Sequence, residues 1–157
     1  WTFLRAGFFA QNLSGPYRQD IREDGRIYVP AGRGRVSWVD ARDLGEAGAR
    51  AFLTPESLGQ AWLLTGAECL DFSQVAGVLS DALGQPVRYD PACVPGYFWH
   101  LVRGRHLPLS PALVYTVLHL AIRFGAEDRV DPTLERVLGR RPRTMAEFVH
   151  DHRHLWT

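Results

Sequence analysis

The sequence predicts an α/β fold in which strands and helices alternate first and helices alone follow. Up to Tyr89, short β-prone runs alternate with amphipathic helical patterns, and from Asp90 onward only helical patterns remain. Apolar residues make up 46% and charged residues 22% of the 157 residues, which is the composition of a globular protein. We therefore expect one compact chain with two regions, 1–89 and 90–157.

The strands are predicted from short apolar or β-branched runs that end at turn residues. These runs are residues 1–5, 26–30, 36–39, 62–64 and 86–89. Asp24-Gly25 is a turn signal, and Gly32-Arg33-Gly34 is interpreted as a hairpin turn between two strands. Segment 8–22 is predicted to be helical in part, with an interruption at Gly15-Pro16.

Capping residues mark the helix starts. Asp40 begins a helix that ends before Pro55, and capping boxes start at Asp71 and Thr144. Further helices are expected over 95–103, from a Ser110-Pro111 cap to 124, and over 131–138. Asp40 and Asp43 resemble a paired-carboxylate site, but their position at a helix start favours capping and interaction with the helix dipole.

Charge and cysteine content exclude several classes of function. The net charge of +1 gives no field that attracts nucleic acid or an anionic membrane, and no apolar run approaches the ~20 residues of a membrane span. All 18 basic residues are arginine, so no Schiff-base lysine and no Tyr-x-x-x-Lys pair exists. Cys69 and Cys93 form no metal or disulfide pattern, which predicts free thiols in a cytoplasmic protein.

The histidines and one apolar helix allow more than one interpretation. His150, His152 and His154 alternate, and residues two apart do not share a helix face, so a solvated tail is favoured over a metal site. Helix 111–124 is apolar nearly all round, so it is either a buried cap helix or a surface that covers something else. His119 within it is interpreted as a core histidine rather than a general acid.

Three stretches, in this order and spacing, resemble the NmrA-like family. This family is a branch of atypical short-chain dehydrogenases that includes NADPH-dependent quinone oxidoreductases. The first is residues 2–13 (TFLRAGFFAQNL), and the second is residues 39–44 (VDARDL). The third combines Leu64-Thr65-Gly66, the capped helix after it, Gly84–Tyr89 (GQPVRY), and residues 138–144 (LGRRPRT) before Phe148.

The resemblance implies the C-terminal portion of a Rossmann-like parallel sheet, followed by a small, mostly helical cap on the substrate side. Residues 1–89 are then a partial Rossmann-like region, and residues 90–157 are the substrate-side region. The family holds NAD(P) through a Gly-x-x-Gly-x-x-Gly turn between a strand and a helix. No such turn occurs here, and the chain begins at Trp1 within a predicted strand, so we expect the cofactor-binding half to precede it.

The resemblance also implies the substrate-side portion of an NAD(P)H-dependent oxidoreductase that reduces a small quinone-like acceptor with NADP or NAD. Arg5, Gly7 and Phe8 would contact the cofactor, while Phe9 and Asn12 would line the substrate pocket. Ala6 stands where the family usually has Pro or Asn, and no catalytic residue is assigned.

Several alternatives stay open beside this assignment. Core packing explains the two phenylalanines of the motif equally well, and an ion pair at the strand end explains Arg5. A non-catalytic module that senses NAD(P) or binds a protein, or an inactive truncated remnant, would share the same sequence. Self-association through an exposed sheet edge or through helix 111–124 is a further expectation.

Overall fold

The computed structural model describes residues 1–157 and confirms the α/β fold. The strands are β1 (Phe3–Ala6), β2 (Phe8–Phe9), β3 (Arg26–Val29), β4 (Arg35–Val39), β5 (Ala61–Leu64), β6 (Cys69–Asp71) and β7 (Arg88–Pro91). The α-helices are α1 (Arg18–Asp24), α2 (Ala41–Leu53), α3 (Phe72–Leu83), α4 (Val94–Trp99), α5 (Leu109–Arg123), α6 (Thr133–Leu138) and α7 (Met145–His152). A π-helical turn, His100–Gly104, continues α4.

The strands pair in four short ladders that form three small sheets, and three of the four ladders are parallel. β1 runs parallel to β5, β3 runs parallel to β7, and β2 runs parallel to β4. β6 joins β4 in the antiparallel direction. β3 and β4 do not pair with each other, so the prediction of a hairpin at Gly32-Arg33-Gly34 is wrong. The turn instead leads the chain from one ladder to another, because each strand has its hydrogen-bond partner elsewhere in the sequence.

Local capping accounts for the helix starts. The Asp40 side chain accepts a hydrogen bond from the amide of Arg42 at 2.9 Å, and both predicted capping boxes, at Asp71 and Thr144, are formed. The predicted Ser110 cap is wrong, because α5 already begins at Leu109 and uses no side-chain cap. Pro111 then lies in the first turn, where its missing N–H costs no intrahelical hydrogen bond.

The main hydrophobic core draws on both predicted regions. Phe8, Trp38 and Phe72 from the first region pack in one cluster with Tyr97 and Phe148 from the second. A smaller cluster lies between β5, α2 and α6, and consists of Val39, Ala47, Leu64, Leu134 and Leu138. The helices after residue 90 therefore share their core with the strands, and the division at residue 89 stays a prediction.

One glycine is required by a close backbone approach. At Gly66, directly after β5 and Thr65, a Cβ atom would lie 1.6 Å from the carbonyl oxygen of Trp38. No side chain fits in that space, so the backbones of β4 and of the segment after β5 can approach each other only through a glycine. None of the helices combines the length and the apolar character needed to cross a bilayer.

Candidate functional site

The predicted site residues lie where β1 ends. Because β1 and β5 are parallel, their carboxyl ends share one edge, and the Gly7 amide continues the ladder by donating to the Leu64 carbonyl at 2.9 Å. The chain then pairs with β4, with Phe8 opposite Trp38. In parallel sheets this edge is where ligands bind, because the loops after the strands converge there.

Of the predicted residues Gly7, Phe8 and Phe9, Phe8 lies in the core and Phe9 lies at the surface. Phe8 is only 6% exposed and packs edge-on against Trp38, with 5.0 Å between the ring centroids. Phe9, the next residue, is 41% exposed. A Cβ atom at Gly7 would lie 3.2 Å from the carbonyl oxygen of Ser37, so strand packing already accounts for a glycine there. Of the two phenylalanines, only Phe9 presents its ring to the surface.

The two polar residues of the set differ in exposure. Arg5 lies on β1, whose four residues are all exposed, and Asn12 is half-buried in the 3₁₀ turn Ala10–Leu13 that follows β2. The Asn12 carbonyl accepts a hydrogen bond from the amide of Tyr17 at 3.1 Å, which fixes the backbone of this turn. Whether these residues contact a cofactor or substrate stays a prediction.

The outer edge of β1 is unpaired within this chain. β1 has only β5 as a neighbour, and the apolar side chains of Trp1, Phe3 and Leu4 are exposed along it. A cavity of about 290 Å³ lies beside this strand, between β1, α2 and Leu58. An unpaired row of strand amides and carbonyls accepts a further strand, so this edge is suited to extension of the sheet.

A hydrogen-bonded chain that the sequence did not predict ties the site loop to α2. The Gln11 side chain donates to Asp40 at 3.0 Å and accepts from the amide of Ala41 at 3.1 Å. Asp40 is buried, and Arg42 binds it through two nitrogens and also reaches Asp151. Burial raises the pKa of the Asp40 carboxyl, but the hydrogen bonds from Arg42 and Gln11 outweigh it and hold that pKa below its ordinary value.

Asp43 belongs to a separate buried cluster. Its carboxylate is fully buried and accepts from Arg140 at 2.8 Å, from the Arg143 amide at 2.7 Å, and from the Arg143 guanidinium. Arg140 also binds Glu46. Both carboxylates at the start of α2 are therefore fully engaged by arginines and amides. They hold the C-terminal segment and the site loop in place, and neither is available as an acid or base.

A buried tyrosine–histidine pair lies behind Phe8. His119 is 0% exposed, and its Nδ1 donates to the carbonyl oxygen of Tyr115 at 2.6 Å. Its Nε2 therefore accepts from the Tyr17 hydroxyl. Burial lowers the pKa of His119 to about 4, although the hydrogen bond to Tyr115 opposes that shift, and burial raises the pKa of Tyr17 well above its ordinary value. His119 is thus a neutral core histidine, as predicted from the sequence.

The C-terminal histidines do not converge on a common point with other ligands. His152 stacks on Phe148 and bonds the Phe148 carbonyl oxygen, with 4.5 Å between the ring centroids and 2.9 Å between the bonded atoms. Nowhere in residues 1–157 do three or more histidine, cysteine or acidic side chains come together in a metal-binding arrangement.

The sequence matches one family model and several curated proteins. The family model described as "NmrA-like family" matches residues 1–148. An NAD(P)H azoreductase from Xenophilus azovorans is 40% identical over 152 residues, which are 97% of this chain and 52% of that protein. The chain spans about half the length of the curated relatives it matches.

Solved structures show the same fold. The triphenylmethane reductase of Citrobacter sp., complexed with NADP(H), superposes with a TM-score of 0.87 at 23% identity, over 96% of this chain and 52% of that one. The NADPH-dependent quinone oxidoreductase of Escherichia coli, complexed with NADPH, gives a TM-score of 0.86 at 23% identity, over 98% of this chain and 52% of that one.

Proposed function

Because the chain belongs to the NmrA-like family, we propose that it is the substrate-side portion of an NAD(P)H-dependent oxidoreductase. Its substrate is a small, flat, conjugated acceptor of the quinone type. The observation that carries this proposal is the 40% identity to an NAD(P)H azoreductase, because that relative is named for the same cofactor and for reduction of a conjugated acceptor.

The residues of this chain fit one end of such a cofactor and not the other. A dinucleotide pyrophosphate needs a glycine-rich turn between a strand and the N-terminus of a helix. The only closely spaced glycine pair after a strand, Gly32 and Gly34, leads into β4 instead of a helix. At the nicotinamide end, exposed Arg5 and the Gly7 backbone, with Phe8 in the core, would contact the cofactor. Exposed Phe9 and half-buried Asn12 would line the pocket of the acceptor.

The reaction this arrangement supports is a hydride transfer. A reduced nicotinamide bound at this edge would supply a hydride to the acceptor, and a proton taken from water would complete the hydroquinone. The Phe9 ring packs against the flat acceptor, and the Asn12 amide donates a hydrogen bond to an acceptor carbonyl. His119 and Asp40 donate no proton in this step, because His119 is neutral and buried and Asp40 is bound by Arg42. The chain contributes position and exclusion of water.

The proposal is tested by supplying the missing half. The segment of the Xenophilus azovorans azoreductase that precedes its matched region is joined to this chain, and NADPH oxidation is followed by absorbance with a naphthoquinone and with an azo dye. We expect turnover of at least one acceptor. Phe9→Ala and Asn12→Ala should each lower kcat/KM roughly 10-fold, because each removes a contact worth about 1–2 kcal/mol.

The control and the contrary outcomes separate an enzyme from a binding module. Phe52→Ala is the matched control, because Phe52 is a 94% exposed aromatic residue on α2, outside the proposed site, and it should leave kcat/KM unchanged. A joined protein that binds NADPH but oxidises none of it with either acceptor would favour the regulatory module instead. Equal effects of Phe9→Ala and Phe52→Ala would remove the assignment of the pocket wall.

A further inference from the structure

The outer face of α5 is a continuous apolar surface with no partner in this chain. Its inner face is fixed in the core by Ala112, Thr116, His119 and Ile122, which are all buried. Its outer face carries Leu109, Leu113, Val114 and Val117, and Phe124 follows at the end of the helix. These five side chains are between 56% and 81% exposed. We call them the α5 face.

The exposed apolar side chains of α5 form one continuous stripe along the helix. At 3.6 residues per turn, the five side chains of the α5 face, with half-buried Leu120 and Ala121, occupy an arc of roughly 140° on the side opposite the buried residues. Ser110 is the single polar residue within this arc. An arc of this width is typical of a helix that packs against another protein element, not of one that faces water.

The α5 face is too long for a small acceptor. From Leu109 to Phe124 the helix rises roughly 22 Å, at about 1.5 Å per residue, whereas a two-ring aromatic acceptor covers only about two turns. The five side chains together leave roughly 600 Å² of apolar surface open, which is the upper end of what a monomer normally exposes as one patch. Two such faces would bury roughly 1,200 Å² in total, the lower limit of a stable protein–protein interface.

The charge pattern favours a second copy of this chain over a charged partner. Arg123 is the only Asp, Glu, Lys or Arg between Leu109 and Phe124, and at 3.6 residues per turn it falls outside the arc of the α5 face. Two copies can therefore meet without burying an ionised group of this helix. The stripe is also nearly symmetric about its middle: Val117 lies close to the centre, and large apolar residues, Leu109 and Phe124, lie at the two ends. Such a stripe is self-complementary in an antiparallel pair.

We propose that two copies of this chain associate through the α5 face, with the two helices antiparallel and a two-fold axis beside Val117. Closed two-fold symmetry uses the same patch on both copies, so association stops at the dimer. This interface is distinct from the unpaired edge of β1, which contains none of the five residues and would support pairing through backbone hydrogen bonds instead.

Sedimentation velocity of the full chain, from about 1 to 100 µM, tests the proposal. We expect a monomer–dimer equilibrium. Leu113→Glu and Val117→Glu should each raise the dimer Kd at least ~10-fold, because each places a charge in an apolar contact. Circular dichroism checks that the variants fold, which we expect because both side chains are more than half exposed. Phe52→Glu is the matched control and should leave the Kd unchanged, because Phe52 is exposed on α2 instead.

A charge-swap mixture tests the position of the axis. If the two-fold axis passes beside Val117, a mixture of Val117→Glu and Val117→Lys chains should dimerise more tightly than either variant alone. A chain that stays monomeric at about 100 µM would overturn the proposal. A dimer that Val117→Glu leaves intact would overturn it as well. Loss of the dimer in Leu4→Pro would also overturn the proposal, because it would place the interface at the open edge of β1. The Phe3 and Gly7 amides donate toward the β5 side, so the amide that proline removes at Leu4 belongs to the open edge.

Discussion

The buried His119 makes the stability of this protein depend on pH in a defined direction. Burial lowers its pKa from 6.5 to about 4 in the folded chain, while the unfolded chain keeps the ordinary value. Between these two values only the unfolded state binds the proton, so the free energy of unfolding rises with pH there. This contribution is fully present above pH 6.5 and is lost as the pH falls toward 4. A difference of about 2.5 pKa units corresponds to about 3 kcal/mol.

Urea unfolding followed by circular dichroism measures this contribution. Between pH 7 and pH 4, the wild-type chain should lose about 3 kcal/mol more stability than His119→Gln, because glutamine cannot take up the proton. His154→Gln is the matched control, since His154 is exposed in the C-terminal turn, and it should follow the wild-type curve. If wild type and His119→Gln lose stability in parallel, His119 is not a neutral core residue and the buried Tyr17–His119 pair is wrong.

Two further comparisons test the packing and the ion cluster. Gly66→Ala should cost several kcal/mol, because a Cβ there overlaps the Trp38 carbonyl oxygen, whereas Gly77→Ala in the open middle of α3 should add about 0.5–1 kcal/mol. Thermal unfolding measures both, and equal melting temperatures would contradict the close approach. Asp43→Asn should cost about 3–5 kcal/mol, because it removes the charge between two arginines in a buried site. Asp151→Asn should cost much less than Asp43→Asn, because water screens that exposed pair. Chemical denaturation measures the free energy of unfolding of Asp43→Asn and Asp151→Asn. A larger loss for Asp151→Asn would contradict the assignment of Asp43 to a buried ion cluster.

Features set by neighbouring residues could be predicted from the sequence. The cap at Asp40 and the capping boxes at Asp71 and Thr144 depend on residues two or three positions away, and all three are formed. The α/β class followed from the alternation of strand and helix patterns, whereas the parallel sheet was implied only by the resemblance to the NmrA-like family. β2 and β6 were missed because runs of two and three residues carry no recognisable period, and both strands exist only through pairing with β4.

The site could be predicted only in outline. The sequence does not distinguish Phe8 from Phe9, because which ring is buried depends on the pairing of β2 with Trp38, 30 residues away from Phe8 along the chain. The bonds of Gln11 to Asp40 were missed for the same reason, since no local rule relates residues 29 positions apart. Long-range pairing decides both features, and a single sequence carries no direct signal for it.

The proposal that a phosphate-binding turn outside these residues holds the cofactor is tested most directly by an NADPH titration. Isothermal calorimetry compares the chain alone with the same chain joined to the N-terminal half of the azoreductase relative. The chain alone should bind at least ~100-fold more weakly, because the pyrophosphate contacts of a glycine turn and helix N-terminus are lacking. Equal affinity of the two proteins would show that these 157 residues hold the nucleotide by themselves, and it would contradict the assignment to the substrate side.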